Sequence, residues 1–364
     1  MTSEPLEGPH RLRFGRRSWL FVAVTLVLAT LATFIGNDAL YRQHEAVDLH
    51  RPPVEIAHNV PDSAKIYVGI YTLNIGNINF AEKTFDFDGY LWLRFRGDST
   101  RGQVEMMNAR GGNMVDFNAI DNRTLPDSSH YVAYHMKGVF FAKYNLRHFP
   151  FDAQSLTFEI ENPLYETKDL VYVPDSASFA KSSSKVGLEK GLNLVDYDIH
   201  STRLYTADHA YSTDFGIPES AVGESHFSRA IFEINIVRRY MSFLIKFLLP
   251  LLIILGVTFI VFFIGPEKLE INAGICITAL LTAVALGISQ SEPASSTGYF
   301  MTTDRFFMLS YAMILLTFVE AVIAHNGAEH GRPWADSLHA WSRDLFFPLY
   351  ALGLLGIAII EYFT

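Results

Sequence analysis

Glu270, Gly274, Thr278, Leu281, Ala285, Ile288 and Glu292 are separated by four, four, three, four, three and four residues. A helix through this stretch brings all of them into one stripe. An acid stands at each end, small and hydroxyl side chains come after the first acid, and the middle is apolar. The surrounding sequence, "EINAGICITALLTAVALGISQSEP", is long and apolar enough to cross a bilayer. Lipid is a poor neighbour for such a stripe, since an acid deep in a bilayer costs ~2.5 to 3.5 kcal/mol even on the lenient insertion scale. Two arrangements accommodate it. Small and hydroxyl residues let helices pack closely while the acids lie at the headgroups, or the stripe faces water in a pore. No Gly-rich phosphate loop, nucleophile motif or metal-ligand spacing occurs, so neither an enzyme nor a cofactor is expected.

The elements that must hold this stripe are partly membrane-embedded and partly not. Hydrophobic residues make up 49% of the chain and charged ones 18%, a balance between those of a soluble domain and an all-membrane protein. The formal net charge of -9 argues against a nucleic-acid partner. Cys276 is the single cysteine, which rules out an intrachain disulfide. An apolar stretch at residues 18–36 comes after a basic tail at 1–17 that includes "RLRFGRR". The positive-inside rule keeps that tail in the cytoplasm and exports the chain beyond the apolar stretch; the stretch reads as a signal-anchor helix, or as a signal peptide. Four further spans, at 241–264, 270–290, 305–324 and 345–363, are joined by short links. They predict an antiparallel four-helix transmembrane bundle within residues 238–364.

Residues 37–237 contain no span, and their pattern is one of short strands between turns. Phe85, Phe87, Leu91, Leu93 and Phe95 alternate with Asp86, Asp88, Tyr90, Trp92 and Arg94, which predicts a strand with one dry face. The same alternation runs through Ile66/Val68/Ile70, Leu156/Phe158/Ile160 and Phe232/Ile234/Ile236. The predicted fold is therefore an extracytoplasmic antiparallel β-sandwich followed by a four-helix transmembrane bundle, with an extra N-terminal transmembrane or signal helix.

"YNLRHFPFDAQSLTF" carries Phe149, Pro150, Phe151, Asp152, Ala153 and Gln154 in a run that resembles the signature loop of the pentameric ligand-gated ion channels, the Cys-loop receptor superfamily. The two family cysteines would fall at Ala142 and Leu156, and their absence resembles the prokaryotic branch, which folds this loop without the bridge. "RRYMSFLIKFLLP" is similar to the family's basic junction into the first channel helix. "CITALLT" resembles the middle of the pore-lining helix, and "GYFMTTDRFF" the stretch leading into the third.

The resemblance implies a homopentamer in a bacterial cytoplasmic membrane, in contact with lipid, its sandwich in the periplasm or outside. Each copy would donate its second helix to the pore, with Glu270, Gly274, Thr278, Leu281, Ala285, Ile288 and Glu292 facing the axis and Leu281 at the gate. Family members that pass anions carry a proline-alanine-arginine step at the cytoplasmic mouth. "EIN" has neither the proline nor the base, so monovalent cations are the expected permeant ions, with Asn272 and Gly274 just above a Glu270 ring. The resemblance also places Asp152 beside Arg238 for coupling, with support from Tyr299 and the "NIGNINFAEK" turn. An unknown small agonist, a cationic amine or protons, would act on the sandwich, with Tyr90, Tyr165, Tyr211 and Phe215 as the aromatic candidates. The family's Trp-x-Pro segment ahead of the loop is missing here. A non-conducting membrane sensor or partner-binding subunit with the same fold is the alternative.

Outside these motifs, Glu320 is either functional or satisfied by a neighbouring helix. His325, His330 and His339 fall in an expected cytoplasmic link at 324–344, where they read as solvated. Cys276 reads as a small packing residue.

Overall fold

The computed structural model describes residues 60–111, 115–179, 186–216, 224–289 and 298–363; the stretch at 18–36 and Glu292 lie outside the described residues. Two compact units emerge, one built of strands together with the 298–301 segment and the other of helices.

In the first unit the strands are β1 (Lys65–Asn79), β2 (Thr84–Phe95), β3 (Glu105–Met106), β4 (Val115–Thr124), β5 (His130–Phe141), β6 (Ala153–Glu161), β7 (Val171–Pro174), β8 (Tyr197–Tyr211) and β9 (Ser225–Arg238). They form a five-stranded sheet in the order β4-β5-β2-β1-β7 and a four-stranded sheet in the order β3-β6-β9-β8. Pairing is antiparallel except at one edge, where β7 joins β1 in parallel from Lys65↔Val171 to Val68↔Pro174.

Alternation built this sandwich. Phe85, Phe87, Leu91 and Leu93 of β2, and Leu156, Phe158 and Ile160 of β6, are all buried, as are Phe232, Ile234 and Ile236 of β9. Phe158 reaches across from the smaller sheet to meet Phe87 at 3.9 Å, Phe140 at 4.6 Å and Phe85 at 5.3 Å between ring centroids. Burying each such ring stabilises the fold by roughly 1.5 to 3 kcal/mol, so these aromatic contacts help to join the two sheets alongside the aliphatic core.

The second unit holds four helices: α1 (Met241–Phe263), α2 (Leu269–Ser289), α3 (Thr302–Glu329) and α4 (Trp334–Phe363). Each is long and apolar enough to cross a membrane. Within α1 the turn Leu244–Leu248 is π-helical and the last turn, Ile260–Phe263, is a 3-10 helix. An ion pair joins Arg305, near the start of α3, to Glu361, near the end of α4. A second polar contact joins Glu320, late in α3, to His339, early in α4, as two antiparallel neighbours require. Tyr311 of α3 donates to the Ala283 carbonyl of α2 at 3.2 Å, and its hydroxyl passes over Gly287, where a Cβ would collide with it.

Helix α4 begins at Trp334 rather than at 345, and α3 runs on to Glu329. The expected cytoplasmic link at 324–344 therefore shrinks to 330–333. Polarity hid the extra turns. Asp336, Ser337, Arg343 and Asp344 break the apolar run, while Ala335, His339 and Phe346 are buried at helical spacing. Pro333 is suited to the start of a helix. His339 is consequently not a solvated link residue: it lies on a helix and is 7% exposed.

Candidate functional site

Helix α2 presents two contrasting faces. Asn272, Cys276, Ala279 and Ala283 are buried within the bundle, at spacings of four, three and four residues. Glu270, Gly274, Thr278, Leu281, Ala285 and Ile288 are exposed, with Leu281 and Ile288 each 66% open. Within the chain the small residues buried in the bundle are Ala279, Ala283 and Cys276, while Gly274 and Ala285 of the stripe are exposed. Asn272 departs from the expectation that it lies beside the stripe: it is fully buried, and its Nδ2 donates to the Gly265 carbonyl at 3.4 Å. A position two residues from Glu270 turns about 200° around a helix, so it belongs to the opposite side.

The exposed face of α2 also differs chemically from the exposed faces of its neighbours. Among the described residues, the exposed positions of α1 between 249 and 263, of α3 between 308 and 323, and of α4 between 345 and 360 are all apolar. On α2 the middle of the span exposes Thr278 and Thr282. Thr282 Oγ1 donates back to the Thr278 carbonyl at 2.8 Å. Single helices that meet only lipid have no use for exposed hydroxyls, whereas a watery path does.

The second constellation is built by the loop between β5 and β6 and by the end of β9. Asp152 is 1% exposed and receives Arg238 Nε at 2.6 Å on Oδ1 and Arg238 Nη2 at 3.1 Å on Oδ2. Gln154 Nε2 donates to Asp152 Oδ2 at 2.7 Å and to the Asn145 carbonyl at 2.7 Å, while Gln154 Oε1 accepts from Asn145 N at 3.0 Å. The signature Asp-x-Gln thus closes its own loop and holds an arginine. The Arg238 guanidinium lies over the rings of Phe149 and Tyr197, both at 4.6 Å, and Phe80 at 5.2 Å. Burial works against its charge, but Asp152 more than offsets this and holds the guanidinium above its ordinary range. Tyr299 accepts from Leu146 N at 2.9 Å through its hydroxyl and joins a small apolar cluster of Leu146, Phe149 and Met301. Phe80, from the "NIGNINFAEK" turn, packs against the same cluster.

The aromatic candidates divide. Tyr211, at the end of β8, meets Phe215 at 5.2 Å, His209 at 4.6 Å and Phe227 at 5.8 Å between ring centroids. Phe215 is 59% exposed. Tyr90 belongs to the other sheet, where its ring lies 5.1 Å from His135. Tyr165 shares a hydrogen bond with Thr100 Oγ1 at 2.9 Å, and Arg101 lies 5.1 Å from its ring centre. Within one chain, therefore, Tyr211 and Phe215 come together, while Tyr90 lies in a separate sheet.

Sequence inspection missed the charges behind Tyr211. Its hydroxyl donates to Glu161 Oε2 at 2.9 Å, and Arg229 Nη2 donates to that hydroxyl at 3.2 Å. Arg229 also bonds Glu161 through Nε and Glu159 through Nη1, both at 2.5 Å. Burial and the hydrogen bond to Glu161 push the Tyr211 phenol up. Burial opposes the charge on Arg229, yet Glu161 and Glu159 raise it overall. The β6–β9 and β8–β9 registers bring these side chains side by side, and a register cannot be read from alternation alone.

No protein-family model matches the chain. The chain is 21% identical over 334 residues to a "Proton-gated ion channel" of Gloeobacter violaceus, covering 86% of this chain and 87% of that protein. It is 20% identical over 281 residues to "pH-sensitive chloride channel 2" of Drosophila melanogaster, covering 70% of this chain and 52% of that protein. A protein of the same description from Anopheles gambiae is 19% identical over 195 residues, covering 54% of this chain and 30% of the mosquito protein.

Proposed function

We propose, from the premise that the chain is a homologue of the pentameric Cys-loop ligand-gated ion channels, that it is a multi-pass ligand- or proton-gated channel subunit whose α2 helices surround a pore. These homologues are ion channels rather than enzymes. The observation that carries the pore assignment is the exposure of Thr278 and Thr282 in the middle of α2, where the other three helices expose only apolar side chains. Five copies in a ring would turn that face to water and leave the apolar faces to lipid.

In this proposal Leu281, Ala285 and Ile288 form the gate, because a ring of apolar side chains can stop ions by dewetting. Glu270 rings the cytoplasmic mouth, with Gly274 next along the face, and Glu292 supplies an acidic ring at the other end. Two carboxylates several ångströms apart across a watery pore repel by about 1 kcal/mol or less, and a passing cation interacts with the whole ring. We therefore propose monovalent cations as the permeant species, although two of the relatives are by name chloride channels. Asp152 and Arg238, three residues ahead of α1, would pass the sandwich's state to the helices, with Tyr299 alongside. Tyr211 and Phe215, backed by Glu161 and Glu159, form a corner that suits a cation, with Tyr90 and Tyr165 contributed by the same or a neighbouring sandwich. The basic tail at 1–17 and the apolar stretch at 18–36 would place the sandwich, residues 37–237, on the periplasmic or outer side of the bacterial cytoplasmic membrane.

Purified protein in planar bilayers under a sodium chloride gradient tests this directly. Currents evoked by acid or an agonist should reverse on the cation side, with Glu270→Gln weakening the preference and Glu270→Arg reducing or inverting it. An anion-selective wild type would overturn the selectivity assignment. Silence under every agonist and pH would favour a non-conducting sensor of the same fold.

A further inference from the structure

His339 of α4 has both ring nitrogens engaged. Nδ1 lies 3.0 Å from Oε1 of Glu320 on α3, and Nε2 lies 3.0 Å from the carbonyl oxygen of Ile264, just beyond the end of α1. Both side chains are buried, at 7% and 8% exposure. A backbone carbonyl only accepts, so Nε2 carries a proton. An ionised carboxylate also only accepts, so Nδ1 would need a second proton, and a neutral imidazole has just one N–H. Two protonation patterns satisfy the geometry. One is an imidazolium against a carboxylate. The other is a neutral imidazole, protonated at Nε2, that accepts at Nδ1 from a neutral carboxylic acid. Both hold one proton more than a neutral histidine beside an ionised glutamate. Removing it leaves two acceptors facing each other away from water, an arrangement that costs free energy until one of them moves.

Among the described residues no donor besides His339 bonds the Glu320 carboxylate. Oε2 of Glu320 and Oδ1 of Asn272 are both buried with no hydrogen-bond partner among the described residues. The charged or titratable groups on the surrounding elements toward this end of the bundle include Glu270 and Cys276 on α2, Glu267 and Lys268 between α1 and α2, His325 and Glu329 on α3, and Asp336, Arg343 and Asp344 on α4; α1 offers the Phe262 ring, 5.6 Å from the imidazole. His325 Nδ1 lies 3.0 Å from the Pro266 carbonyl, and Arg343 Nε donates to Asp344.

We propose that Glu320 and His339 form a proton-binding site inside the helical bundle, in which one bound proton ties α3 and α4 to the end of α1. The ligand is the proton itself, taken up together by the two side chains and released together as pH rises. Once it is released, either the α3–α4 contact or the α4–α1 contact must open. That this changes gating rests on the proposed channel function; the site itself does not.

Glu320→Gln separates the two. A glutamine amide donates to Nδ1 with no titrating proton, so the three-way contact persists at every pH with a neutral histidine. Infrared difference spectra of the full chain in lipid vesicles, recorded between acid and alkaline pH, should contain a carboxylic-acid or imidazolium signal in the wild type. The pair's own share of that signal, isolated by subtracting the variant's spectrum from the wild type's, should be missing from Glu320→Gln and from His339→Gln, and Glu320→Gln alone decides if the second variant fails to assemble. Ion flux into the same vesicles should lose a component of its pH dependence in Glu320→Gln. Wild-type and Glu320→Gln spectra that titrate identically would overturn the site whatever the flux does. A signal that behaves as expected in protein that conducts at no pH and under no agonist would leave the proton site standing and remove the channel reading.

Discussion

Arg238 grips Asp152 with two parallel hydrogen bonds, Nε to Oδ1 at 2.6 Å and Nη2 to Oδ2 at 3.1 Å, in a pocket where the carboxylate is 1% exposed. A buried pair of this kind is worth little against an apolar replacement of both partners, but removing one partner strands the other charge. The three rings around the guanidinium leave it little water in exchange, its side chain being 11% exposed.

Asp152→Asn and Arg238→Gln should each destabilise the sandwich by about 3 to 5 kcal/mol. Thermal unfolding of the purified protein checks the stability, and currents from any assembled protein check the coupling. Both variants are expected to assemble poorly or to stay shut. Normal currents with wild-type melting would mean that the pair is neither structural nor coupled to the pore.

At the gate, replacing Leu281 with Ser or Thr should keep the path wet and give a channel that opens spontaneously or at lower agonist. Single-channel recording in the absence of agonist reads this out. A closed state indistinguishable from wild type would place the gate elsewhere along α2.

For the ligand corner, Tyr211→Ala removes one wall and should weaken a cationic agonist by ~0.5 to 2 kcal/mol, roughly two- to thirtyfold. Tyr211→Phe keeps the ring but takes a donor from the buried Glu161, so it should lower stability by ~1 to 3 kcal/mol with a smaller change in agonist response. Dose-response curves beside melting curves distinguish the two. If Tyr211→Ala left the dose-response unchanged, the aromatics would merely pack the sandwich edge.

A pH-dependent contact on the same hairpin is separable from the bundle's. His226 Nδ1 lies 2.7 Å from Asp208 Oδ2, and that hydrogen bond raises the histidine above its ordinary value. A histidine raised on folding contributes stability that is complete below its unfolded value of ~6.5 and is lost as pH rises through the folded value. NMR titration of His226 should therefore give a midpoint above that of a free histidine, and Asp208→Asn should bring it back down.

The reach of each signal decided which features were legible in the sequence. Phe85, Phe87, Leu91 and Leu93 alternate within one strand, so the inward face of β2 was readable locally, and the sheet confirms it. The helical stripe on α2 was readable for the same reason, and its described residues are exposed together. The Arg229–Glu161–Tyr211 cluster depends on strand register, and the Glu320–His339 contact on how two helices pack. Neither has a local periodicity. His339 was further disguised by the polar first turns of α4, which lower the hydropathy of a segment that is helical throughout.

The central claim, that the exposed face of α2 lines an aqueous pore, is tested most directly by cysteine accessibility. Cys276 is the single native cysteine and is buried, so a Cys276→Ser background carries no other thiol. Cysteines introduced one at a time at Gly274, Thr278, Leu281 and Ala285 should be modified by a water-soluble, charged thiol reagent and should block the current. Cysteines at Ala279 and Ala283, on the buried face, should leave it untouched. Equal protection of both sets in a conducting channel, or block only from the buried set, would contradict the account.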